Sequence, residues 1–65
     1  MLFKFSDSII NSRCVSYLNT QFNILFPKPY LISLVTADKV YLESYKTCHD
    51  RDLRFKQLES ILFVK

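Results

Sequence analysis

Sixty-five residues leave room for one domain, and a chain of that length hides only about 60% of the surface its unfolded form exposes, so its core is thin. Glycine is absent, which excludes the phosphate-cradling loops of nucleotide-binding folds, because those need backbone at positive φ or in close approach to a phosphate. Nine basic residues against six acidic give a net charge of +3. Lys4, Arg13, Lys28, Lys39, Lys46, Arg51, Arg54, Lys56 and Lys65 are scattered along the chain. That reads as solubilising charge more than as a nucleic-acid footprint.

The N-terminal run Met1-Leu2-Phe3-Lys4-Phe5 meets Asp7 before a secretory leader can develop. The longest uncharged apolar stretch, Tyr30 to Val35, falls far short of the roughly 18 residues that span a bilayer. The expectation is a cytoplasmic protein, without membrane association, whose Cys14 and Cys48 are reduced thiols. With neither disulfides nor a metal to staple a small core, the sequence points to a homo-oligomer or a larger protein partner. Abundant Phe, Tyr, Ile, Asn and Lys with a single alanine, Ala37, is the usage of an A+T-rich coding sequence, such as a phage or mobile element carries.

In chain order, Leu2–Phe5 reads as a short strand. Ser6 or Asp7 then offers an N-cap for a helix from Ser8 to about Leu25. At 100° per residue, Ile10, Cys14, Tyr17, Leu18, Gln21, Phe22 and Leu25 fall within an arc of about 120°. Cys14 is expected buried on that apolar face, as a small hydrophobe. Pro27-Lys28-Pro29 ends the helix. Tyr30–Thr36 reads as a central strand, Ala37-Asp38-Lys39 as a turn, and Val40–Lys46 as the return strand. Alternation places Val40 and Leu42 on one face and Tyr41, Glu43 and Tyr45 on the other.

Thr47 or Asp50 caps a second helix with Phe55, Leu58 and Leu62 along its seam. Ile61–Val64 reads equally as a last helical turn or as a closing strand. The expected fold is α+β, over residues 1–65: a small antiparallel sheet with two helices on one face, in the order β-α-β-β-α(-β). With the final strand it becomes the ferredoxin-like arrangement.

The chemistry-bearing residues are few. Cys48-His49 sets a nucleophile beside a base, but adjacent side chains diverge, and no orienting group or oxyanion elbow accompanies them. Cys14, Cys48 and His49 lack the paired spacing that gathers a zinc ion. Asp50 and Asp52 suit a helix start. The chain reads as non-enzymatic, with no cofactor and no metal.

Two surfaces remain. The outer arc of the expected first helix carries Ser8, Ser12, Arg13, Ser16, Asn19, Thr20 and Asn23, with Ile9 among them. Depletion of charge around an embedded apolar residue is the composition of an interface core. Serine and asparagine are also mediocre helix formers. Ile9, Ser12, Arg13, Ser16, Asn19 and Asn23 are therefore the candidate partner-binding residues. The rival surface is Tyr41 and Tyr45 with Lys4, a sheet face on which single-stranded nucleic acid could stack. The functional expectation is a small protein-binding module, an inhibitor or adaptor acting by occupying a surface of a larger protein. Nucleic-acid binding is the alternative.

Overall fold

The computed structural model describes residues 1–63. It holds five strands and one helix: β1 (Leu2–Phe5), β2 (Ser8–Asn11), β3 (Val15–Phe22), β4 (Tyr30–Thr36), β5 (Val40–Tyr45) and α1 (Cys48–Leu62). The strands form two antiparallel sheets, a β1–β2 hairpin and a three-stranded sheet in the order β3-β4-β5. This overturns the expectation of two helices on one sheet. The first expected helix is β2, a single 3₁₀ turn at Ser12–Cys14, and β3. The ferredoxin-like arrangement also falls, because β1 pairs with β2 and not within the larger sheet.

Local chemistry accounts for the change. Ser6 and Asp7 take φ of 50° and 63°, the left-handed pair that a two-residue hairpin turn demands. Phe5 is thereby returned opposite Ser8, and the residues expected to cap a helix reverse a strand instead. Downstream, the Asn11 side chain accepts from the Arg13 amide at 3.0 Å, closing the 3₁₀ turn and handing the chain to β3. Between Ser8 and Leu25 no Ala, Glu or Lys supports a helix, whereas β-branched and aromatic residues support a strand.

The β4–β5 hairpin and α1 match their expected bounds closely. Thr47 is the cap, its hydroxyl accepting from the Asp50 amide at 3.2 Å. Helix continues through Leu62, so Ile61 and Leu62 belong to its last turn and not to a closing strand. Val64 lies outside the described residues.

Alternation sorts the larger sheet into two faces. Leu18, Thr20 and Phe22 of β3 share a face with Tyr30, Ile32 and Leu34 of β4 and with Tyr41, Glu43 and Tyr45 of β5. Both α1 and the β1–β2 hairpin pack on that face. Phe3, Phe5, Ile10, Ile32, Leu34 and Leu58 form the buried cluster, each of these side chains stabilising by roughly 1.5–3 kcal/mol. The helix sits over β4 and β5, leaving β3 at the margin.

Candidate functional site

A polar junction fastens the three parts of the core face. Arg54 of α1 donates from Nε to Glu43 Oε1 at 3.1 Å and from Nη2 to the Lys4 carbonyl at 2.7 Å. Glu43 also accepts from the Ser6 amide at 3.0 Å and from the Tyr45 hydroxyl at 2.7 Å. Burial pushes the Glu43 carboxyl up, but the hydrogen bonds from Arg54, Tyr45 and Ser6 and the Arg54 charge outweigh it and hold it below its ordinary value. Burial and the bond to Glu43 push the Tyr45 phenol up to about 12. An open cleft of about 530 Å³ runs beside the junction, lined in part by Lys4, Asp7, Glu43 and Arg54. Glu43 and Arg54 satisfy each other there, so the pair acts as a clamp.

The tyrosine surface is oriented opposite to the expectation. Tyr41 and Tyr45 do share one face of β5, but it is the face that packs against the core. The exposed side carries Val40 and Leu42. A base needs the open face of a ring to stack on. Tyr45 is instead engaged by Glu43, and the Lys39 ammonium lies 5.0 Å from the Tyr41 ring centroid. Lys4 is exposed on the β1–β2 hairpin, in the other sheet, and it is its carbonyl that Arg54 ties to Glu43 between the two tyrosines.

The cysteine and histidine groups stay apart in role. Cys14 is exposed at the end of the 3₁₀ turn, not buried on a helix face. Cys48 lies 3.4 Å from Asp52 Oδ2, while His49 projects into solvent towards Asp50 at 4.0 Å. No group of three metal-binding side chains occurs among the described residues, nor is any helix there long and apolar enough to cross a membrane.

Five of the six partner-binding candidates fall on or beside one strand, and Ile9 stands apart from them. Ser16 and Asn19 lie on β3, Ser12 and Arg13 in the turn leading into it, and Asn23 directly after it. Ile9 stands on β2, exposed. What looked like a charge-poor helix face is a charge-free edge strand. No charged residue occurs between Arg13 and Lys28, and no strand pairs with the outer side of β3 among the described residues.

The phase of that edge follows from one hydrogen bond. The Asn23 amide donates to the Pro29 carbonyl at 2.9 Å. In the observed register, which pairs Gln21 with Leu31 and Asn19 with Ser33, the odd-numbered residues of β3 direct their backbone groups to β4. Antiparallel pairing alternates, so the N–H and C=O groups of Leu18, Thr20 and Phe22 point out of the sheet. A bulge between Val15 and Tyr17 limits the regular edge to Tyr17–Phe22.

Leu18, Thr20 and Phe22 are the residues that sequence reasoning missed as a set, although Thr20 fell within the flagged arc. The absence of charge was the signal that located them.

The other edge is differently guarded. β5 directs the backbone of Val40, Leu42 and Ser44 outward and is flanked at its two ends by Lys39 and Lys46, while Glu43 is held on the core face by Arg54. Charged edges resist foreign strands, and uncharged ones do not. Comparison with protein-family models, curated proteins and solved structures finds no match to this chain. The functional reading therefore rests on geometry.

Proposed function

We propose that the chain is a small, non-enzymatic protein-binding module that acts by occupancy, taking a strand of its partner onto the free edge of β3. The observation that carries this reading is the regular, uncharged edge Tyr17–Phe22 with the backbone groups of Leu18, Thr20 and Phe22 unpaired. Strand addition draws affinity from main-chain hydrogen bonds and specificity from alternate side chains. Leu18 and Phe22 supply apolar side chains on one face, four residues apart about Thr20, with the exposed Ile24 and Leu25 just beyond them. Ser16, Asn19 and Asn23 supply uncharged hydrogen-bonding groups along and beside the edge. A module of this kind fits an inhibitor or adaptor that blocks or bridges a larger protein.

Capture of a partner from the native host by the immobilised chain tests it. Thr20→Lys is expected to abolish capture while circular dichroism stays unchanged, because Thr20 is exposed and central to the edge. Ile9→Lys, on a strand outside the larger sheet, is expected to leave capture intact. Retention of the same partner by Thr20→Lys would sink the edge reading.

A further inference from the structure

We infer that the β3 edge pairs with a second copy of this chain, antiparallel about a two-fold axis at Thr20, so that three strands from each copy form one continuous sheet. This rests on the edge reading and names the strand that covers the edge in the free protein, which a heterologous partner would displace.

Register decides the matter. Two copies pair only where outward-facing residues meet outward-facing residues, which restricts the axis to a few positions. With Thr20 opposite Thr20, Leu18 falls opposite Phe22 of the copy, twice by symmetry. Asn19 falls opposite Gln21, carboxamide against carboxamide, on the other face. Moving the axis to Asn19 would set Phe22 against the bulged Ser16 and Leu18 against Thr20, losing both apolar pairs. The Thr20 register is the one in which apolar side chains meet apolar ones and amides meet amides.

Charge agrees. Copies of a chain carrying +3 repel one another on most surfaces, and β3 is the strand edge where no side chain adds to that repulsion. An acidic or basic partner would find nothing on it to recognise. β5 offers less, since with Leu42 opposite Leu42 each Val40 falls opposite a Ser44 of the copy and no further apolar pair forms.

Space is available too. A two-fold axis perpendicular to the sheet keeps both helices on the same side, and α1 packs chiefly over β4 and β5, reaching β3 through the Arg51 bond to the Gln21 carbonyl at 3.4 Å. The half-exposed Phe22 ring then gains a neighbour in Leu18 of the copy. Residues 24 and 25, exposed beyond the end of β3, come opposite Ser16 and Val15 of the copy. Burial of such groups is what a thin core lacks.

Sedimentation of the full chain from about 1 μM to about 1 mM tests the proposal, with affinity read from the concentration dependence. The wild type is expected to pass from monomer to dimer across this range. Thr20→Pro removes an N–H that no group in the described chain uses, and is expected to weaken association by about tenfold or more. Leu42→Lys, on the β5 edge, is expected to change it little.

A direct check is Thr20→Cys in a Cys14→Ser, Cys48→Ser background, which should cross-link to a dimer in air. Cysteines meeting at a hydrogen-bonded antiparallel pair lie about 5.5 Å apart at Cα, within disulfide reach. A dimer that survives Thr20→Pro with unchanged affinity, or a wild type monomeric throughout, overturns the proposal. In the monomeric case the edge reading is judged separately, by whether Thr20→Lys loses the heterologous partner.

Discussion

Arg54 and Glu43 meet at 3.1 Å, and their contact is where helix, sheet and hairpin become one body. Their side chains are largely withdrawn from solvent, at 23% and 15% exposure. Because Arg54 also holds the Lys4 carbonyl and Glu43 also holds the Ser6 amide, the pair positions the β1–β2 hairpin over the core face. Removing one partner leaves a partly buried charge without its counter-ion, which costs more than the pair gains over two apolar residues.

Arg54→Met is therefore expected to destabilise the fold by about 2–3 kcal/mol, measured by urea denaturation. The same pair sets an acid limit. Glu43 is held below its ordinary value of 4.5, so its contribution is fully present above that pH and is lost as pH falls through the lowered value. Glu43→Gln should flatten the stability profile below about pH 4.5, leaving only the other carboxylates to respond.

Tyr45 supplies the alkaline counterpart. Burial and the bond to Glu43 raise the Tyr45 phenol to about 12. A phenol whose value is raised on folding contributes stability that is complete below its ordinary 10.0 and is lost as pH rises through about 12. Absorbance titration should show one late phenolate step, absent in Tyr45→Phe.

The hairpin turn offers room for improvement. Ser6 and Asp7 occupy left-handed backbone without glycine, at roughly 1–2 kcal/mol per residue. Ser6→Asn with Asp7→Gly installs the pair that such turns favour. The expected gain is about 1 kcal/mol, after subtracting the larger entropy that glycine loses on folding. A raised thermal midpoint with unchanged circular dichroism checks it.

That turn is also where the sequence was hardest to read. Tyr30–Thr36 and Val40–Tyr45 declare themselves by β-branched and aromatic residues around a polar turn, and Thr47 marks the start of α1. Residues 8–25 mislead because Ile10, Cys14, Tyr17, Leu18 and Phe22 satisfy a helical arc by coincidence, while alternation within β3 is broken by the bulge at Ser16. Without glycine, Ser6-Asp7 looks like a helix cap and not a reversal. The poverty of helix formers in Ser8–Asn23 was a true signal, but it described a strand. For β5 the alternation was legible and its direction was not, because Tyr41 and Tyr45 bury their rings while Val40 and Leu42 face out. Of the proposed edge, Ser16, Asn19 and Asn23 were legible as a charge-poor stretch, but only the register of β3 on β4 shows that Leu18, Thr20 and Phe22 turn their backbone groups outward.

Amide hydrogen exchange across β3 tests the central claim most directly, since it reads which side of the strand is paired. The amides of Asn19 and Gln21, bonded to β4, should be protected at every concentration. Those of Leu18, Thr20 and Phe22 should exchange fast in dilute protein and slow markedly as the chain is concentrated. Exchange at Leu18, Thr20 and Phe22 that stays fast at every concentration, and in the presence of a captured partner, would contradict the account.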